Sequence, residues 1–257
     1  MGKPRTRAAA NSRKLCAGIM LYCIVAVSCG IQSFPYLAPV ESGDVTSPGP
    51  GEKRFIFKNN TENNPEYLQG YEIYYKFYST DPFETVPSLN YEEHTNLING
   101  QIEIDGVTVE EIQTAYGYYR LYANNTDLPI PLLPLTAAQK DDPIEFVLDF
   151  NTIATTIFPK AEYQTSDGIV LDTIDLARYV EKEDQITAGP TLYNFTPDEL
   201  TSEYSDFSKD LEPGENDQVF LSLYVATYGK SSPFEDFYSY VQHLGAVTLQ
   251  TTTLPGD

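Results

Sequence analysis

The sequence predicts a mainly β, antiparallel fold, and three observations carry that expectation. The stretch Leu68–Tyr78, LQGYEIYYKFY, sets Tyr71, Ile73, Tyr75 and Phe77 against Glu72, Tyr74, Lys76 and Tyr78. That is the period of two that lays alternate side chains on opposite faces of a strand. Residues 219–228, VFLSLYVATY, form a second apolar run rich in β-branched and aromatic residues. Turn dipeptides such as Asn99-Gly100, Asp105-Gly106 and Asp167-Gly168 punctuate the chain, and no helical stripe is long enough to dominate a core.

Residues 15–29, LCAGIMLYCIVAVSC, follow Lys3, Arg5, Arg7, Arg13 and Lys14 with no acid among them. A basic amino end, an apolar run and a close on small residues read as an export signal. The ending Ala26-Val27-Ser28-Cys29 resembles the lipobox of bacterial lipoproteins. The resemblance implies removal of residues 1–28 and a lipid on Cys29, hence a membrane-anchored, periplasmic or surface lipoprotein of the bacterial envelope. An uncleaved anchor or a plain secretory signal is the alternative. Residues 29–52 carry prolines and glycines without sustained periodicity, which predicts a flexible tether.

From residue 53 the chain is expected to be one β domain. Arg54–Lys58 and Leu68–Tyr78 read as strands, the second with a tyrosine-bearing face that tolerates water. Residues 101–104 between two turn dipeptides predict a short hairpin. Residues 115–123 and 144–150 read as strands. Residues 169–180 are ambiguous, because IVLD suits a strand while Ile174, Ala177 and Val180 have helical spacing. Thr196-Pro197-Asp198-Glu199 reads as a helix start, predicting a short helix over 197–209. Residues 219–228 and 246–251 supply the last strands.

Gly70-Tyr71-Glu72-Ile73-Tyr74-Tyr75, Leu211-Glu212-Pro213-Gly214, the run 219–227 and then Tyr228-Gly229-Lys230-Ser231-Ser232 resemble, in order, the third strand, the L-x-P-G turn, the penultimate strand and the last loop of a fibronectin type III module. The resemblance implies an antiparallel β-sandwich in which the two strands are neighbours and Leu249 lies in the closing strand. The chain departs from it at Asp217, where the family carries its corner tyrosine, and in the long stretch between Tyr78 and Leu211. That stretch implies a large insertion at about 80–195 or a second small β unit. With the lipobox-like ending and 20 tyrosines against no tryptophan, the whole resembles a spirochaete lipoprotein of the treponemal kind.

The formal net charge is −21, and residues from Cys29 onward hold 11 basic against 37 acidic residues. Such a field repels phosphate backbones, so nucleic acid is not an expected partner. All three cysteines, Cys16, Cys23 and Cys29, lie in or at the end of the signal, and the two histidines, His94 and His243, are far apart. No metal or other cofactor is expected, and no nucleophile elbow or phosphate loop is present in the sequence. Tyrosine is the one loaded choice. Tyr71, Tyr74, Tyr78, Tyr116, Tyr118, Tyr119 and Tyr122 are the candidate interaction surface, since tyrosine joins apolar area to a hydroxyl. Aromatic cross-strand pairs that brace a sheet are the plainer reading. The expected role is a non-enzymatic, lipid-anchored envelope protein that binds an envelope or host protein or is structural. A binding protein for a small ligand or glycan is the alternative.

Overall fold

The computed structural model describes residues 35–49, 52–78, 106–151, 158–184, 189–207, 218–232 and 235–250. The chain divides into two units, 1–36 and 37–257. Of the first, only Pro35 and Tyr36 are described. All the described strands belong to the second.

The fold is mainly β, 48% strand and 11% helix, and its antiparallel sheet curls into a half-barrel. Among the described residues the strands are β1 (Val45–Thr46), β2 (Arg54–Lys58), β3 (Leu68–Tyr78), β4 (Tyr119–Ala123), β5 (Leu133–Pro134), β6 (Ile144–Asp149), β7 (Lys160–Thr165), β8 (Val170–Val180), β9 (Thr191–Tyr193), β10 (Gln218–Ser232), β11 (Glu235–Tyr238) and β12 (Gln242–Gln250). They join one twelve-stranded sheet in the order β1-β2-β6-β7-β8-β4-β3-β10-β11, with β12 also on β10, β5 on β3 and β9 on β8. The curl brings β12 near β2. The connection from β1 to β2 also passes close to β12 and needs a glycine: Gly245 has φ +122°, and a Cβ on it would lie 2.9 Å from Cδ of Pro48.

Alternation explains the core. Phe55 and Phe57 of β2, Phe146 and Leu148 of β6, Tyr163 of β7, Leu176 of β8, Leu121 of β4, Tyr71 to Phe77 at alternate positions of β3, Leu221 to Val225 of β10 and Leu249 of β12 belong to one buried cluster. Phe57 stacks on Phe146 at 4.8 Å, while Tyr71 and Tyr163 present edges to Phe146 at 5.2 and 5.0 Å. Offset and edge contacts of this kind are favoured by the ring quadrupole.

The opposite face of β3 is covered as well. Helix α1 (Val109–Thr114) starts on Thr108, whose hydroxyl accepts the Glu111 amide at 3.2 Å, and it carries Glu110 and Glu111 in its first turn. It lowers Ile112 onto a second cluster with Tyr74, Val107, Tyr118, Tyr224 and Ala226. The expected solvated tyrosine face is therefore a second small core.

Tertiary packing bears on other stretches as well. Residues expected to be a tether are packed from Leu37 onward: Leu37 and Val40 are each 1% exposed in the main cluster. Asn63 Oδ1 accepts the Ala38 amide at 2.7 Å, Asn60 Nδ2 donates to the Pro39 carbonyl at 3.1 Å and Thr227 Oγ1 donates to the Ala38 carbonyl at 2.9 Å. The described residues between 80 and 195, expected as a large insertion or a second small β unit, supply β4 to β9 to the same sheet.

Residues 170–180 form a strand, because Leu176, Arg178 and Val180 turn inward at period two while β7 and β4 pair on either side. The expected helix over 197–209 reduces to a 3₁₀ turn at Pro197–Glu199. The Glu199 carbonyl accepts from the Arg178 guanidinium at 2.5 Å, which supplies it with a partner outside any helix. Residues 115–123 become the C-cap of α1, a turn, and β4. The hairpin expected at 101–104 and the Leu211-to-Gly214 turn lie outside the described residues. As expected, β3 and β10 are antiparallel neighbours, and Leu249 lies in β12 beside β10.

Candidate functional site

Two ion pairs occupy interior positions where apolar side chains are expected. Arg178 points into the curl, and each of its three guanidinium nitrogens donates a hydrogen bond. Nε reaches the Asn194 carbonyl at 2.7 Å, Nη1 reaches Asp206 Oδ1 at 2.9 Å and Oδ2 at 3.1 Å, and Nη2 reaches the Glu199 carbonyl. Tyr75 donates to Asp206 Oδ2 at 2.6 Å, and burial together with that carboxylate pushes the Tyr75 hydroxyl well up. The guanidinium also lies 5.1 Å from the Tyr204 ring centre and 5.6 Å from that of Phe195. A cation so fully matched holds the segment after β9 in place and offers nothing to a ligand.

On the convex face, Glu72 accepts from Arg120 Nε at 2.6 Å and Nη2 at 2.9 Å, a bidentate pair whose carboxylate has no exposure. Arg120 stacks over Tyr122 at 4.5 Å and donates to the Pro129 carbonyl at 2.8 Å. Burial raises the Glu72 carboxyl above its ordinary value, against the opposing pull of Arg120 and the Leu132 amide.

A third group joins side chains far apart in the sequence. Ser222 Oγ stands 3.2 Å from His243 Nε2 and 3.2 Å from Tyr118 Oη, and Tyr118 Oη is 3.2 Å from Tyr78 Oη. A serine beside a histidine invites a nucleophile reading. However, Ser222 lies mid-strand in β10 with no exposure and shares its hydroxyl with Tyr118. Acyl transfer needs a reachable hydroxyl beside oxyanion donors, so this geometry bonds β3, the residue before β4 and the β10–β12 pair together instead. Among the described residues no three His, Cys, Asp or Glu side chains group to hold a metal ion.

The tyrosines chosen from sequence separate accordingly. Tyr71, Tyr74, Tyr78 and Tyr118 are at most 4% exposed; Tyr71 belongs to the main core, and Tyr74 and Tyr118 to the second. Tyr116 and Tyr122 are half-buried, and Tyr119 is 39% exposed with its hydroxyl bonded to the Ser205 carbonyl at 2.9 Å. They do not make one surface, because β3 and β4 each send alternate residues to opposite faces. Cys29 and His94 lie outside the described residues.

The accessible apolar feature is elsewhere, at the tip of the β7–β8 hairpin. Thr165, Ser166, Asp167 and Gly168 turn the chain, with the Gly168 amide donating to the Thr165 carbonyl at 2.8 Å and φ +77° at Gly168. Ile169, Val170 and Leu171 follow at 62%, 47% and 47% exposure. Among the described residues no other large apolar side chains so exposed are consecutive. Leu171 also borders an open cleft of about 490 Å³ with Gln139 of α2 (Ala137–Lys140), Asp142, Ile144 and Thr165. The signal in the sequence is the Asp-Gly turn followed by three apolar residues, which reads as a strand start and says nothing of what covers it.

No protein family, no curated protein and no solved structure matches this chain.

Proposed function

We propose that this chain is a non-enzymatic, lipid-anchored protein of the bacterial envelope that works by binding another protein through the β7–β8 hairpin tip. The observation that carries the reading is the run of three exposed apolar residues, Ile169 to Leu171, beside a cleft. Burying an aliphatic side chain of this size against a partner gains roughly 1.5–3 kcal/mol, and contiguous exposed apolar area marks interaction sites. The buried places of Ser222 and Glu72 support a non-enzymatic role, because neither is reachable by a substrate. The glycan-binding alternative is weakened by the burial of four of its seven tyrosines.

Location rests on the sequence of residues 1–29, and Cys29 is the proposed lipid site. A fibronectin type III-like relationship is supported by the adjacency of β3, β10 and β12, while the continuous path from β8 to β1 departs from a two-sheet sandwich. Two measurements test the reading. Intact mass of membrane-associated protein is expected to show a chain starting at Cys29 with a diacylglyceryl group, lost in Cys29→Ala. A photoreactive residue at position 171, in cells, is expected to give a discrete protein adduct that one at exposed Glu235 does not, and that Val170→Lys suppresses. Equal labelling from both positions overturns the binding site.

A further inference from the structure

The β7–β8 hairpin is not only apolar at its tip; among the described residues one edge of β8 is unpaired. β4 pairs with β8 only from Leu176 to Arg178, and its chain then turns away at Asn124 and Asn125. The Asn124 amide makes the last contact, 2.7 Å to the Asp175 carbonyl. Between Val170 and Ile174, β8 is paired with β7 on one side and with no described strand on the other.

The directions of the backbone groups follow from two bonds. The Leu176 amide donates to the Pro159 carbonyl, on the β7 side, while the Asp175 carbonyl faces β4. Alternation then turns the amide and carbonyl of Thr173 to the open side. Consistent with this, the Thr173 amide is capped only by its neighbour's side chain, Asp172 Oδ1 at 2.8 Å. Leu171 is the extra residue of a bulge, between the Gln164–Val170 and Tyr163–Asp172 pairs. Val170 to Thr173 are all exposed.

We infer that this edge of β8 is a strand-addition site, and that its occupant is an extended segment of another protein that alternates apolar and basic residues. The inference rests on the protein-binding reading above and deepens it. An unpaired, exposed edge is a template for a further strand. Such a strand continues the line of β4 past Asn124, bonds to Thr173 and lays apolar side chains on Val170 and Leu171. Charge selects the partner: Asp167, Asp172 and Asp175 on the hairpin, and Asp127 just past the end of β4, are all exposed. A second copy of this chain, at net charge −21, is repelled from the same edge.

The test uses the folded chain and fluorescent peptides of about nine residues, long enough to cover the open edge at ~3.4 Å per residue. A valine/lysine-alternating peptide is compared with its valine/glutamate counterpart and with a valine/lysine peptide N-methylated at alternate amides. The expected result is saturable binding of the first alone, weakened at least about tenfold by Thr173→Pro and by Leu171→Lys. Proline at 173 leaves the β7 bonds intact, since that amide faces the open side. Equal binding of the N-methylated peptide, or no effect of Thr173→Pro, overturns strand addition. If the photoadduct at position 171 persists in Thr173→Pro, the protein-binding reading stands without it. Concentration-dependent dimers abolished by Thr173→Pro, or binding to phosphatidylcholine vesicles in place of the peptide, also overturn the proposed occupant.

Discussion

Arg178 of β8 and Asp206, on the segment after β9, meet 2.9 Å apart with neither side chain exposed. The pair closes a network that includes Tyr75 of β3, which donates to the Asp206 carboxylate, so three distant stretches of chain meet at one ion pair. Removing one partner leaves the other charge buried without compensation. Arg178→Met or Asp206→Asn is expected to destabilise the fold by about 3–5 kcal/mol. Urea unfolding of the single variants and of Arg178→Met with Asp206→Asn checks this. The double variant is expected to lose less than the sum of the singles, because no orphaned charge remains. Additive losses would mean that the two residues act independently.

The Glu72–Arg120 pair has a pH consequence of definite sign. Burial lifts the Glu72 carboxyl above its ordinary value of 4.5, so the folded state holds that proton more readily than the unfolded chain. Its contribution to stability is then fully present below 4.5 and is lost as pH rises through the raised value. Relative to Glu72→Gln, the native protein is expected to gain stability as pH falls from neutral toward 4.5. Denaturant midpoints of the two proteins across that range measure the difference. A constant difference, or one of opposite slope, refutes the assignment.

The strands with clear alternation were legible because period two is a local property: β2, β3, β6 and most of β10 lie where the pattern of residues places them. What could not be read is what covers each face. Tyr74 and Tyr118 look like surface residues from their own stretches of chain, and packing with Val107, Ile112, Tyr224 and Ala226 makes them core. β7, KAEYQT, has little apolar alternation of its own and is a strand because β6 and β8 flank it. The helix expected from Thr196-Pro197-Asp198-Glu199 yields to Arg178, a tertiary partner that no local signal reports. The Ser222–His243 contact escapes sequence for the same reason, since strand register alone brings those residues together.

Burial of tyrosine predicts an alkaline transition. Desolvation raises the hydroxyls of Tyr71, Tyr74, Tyr75, Tyr118, Tyr163 and Tyr224 above the ordinary value of 10.0. Each therefore stabilises the fold below 10.0, and that stability is lost as pH climbs past it, because the unfolded chain ionises first. Phenolate absorbance is expected to rise in two steps, accessible tyrosines first and the buried set together with loss of circular dichroism. A single step completed while the dichroism is native would place these rings in water.

Residues 37–40 offer the sharpest contrast between a tether and a packed strap. Leu37 is buried in the main cluster, and Asn63 holds the next residue by both its atoms, accepting from the Ala38 amide at 2.7 Å and donating to the Ala38 carbonyl at 3.1 Å. Leu37→Ala is expected to cost about 2–5 kcal/mol, through lost transfer energy and the cavity left behind. Asn63→Ala is expected to cost about 1–3 kcal/mol, since it strands buried polar groups of the strap. Both losses pass through one short segment, so the double variant is expected to fall short of their sum. Chemical denaturation checks all three proteins. Unchanged midpoints would return this segment to the role of a linker, and the folded domain would then begin nearer β2.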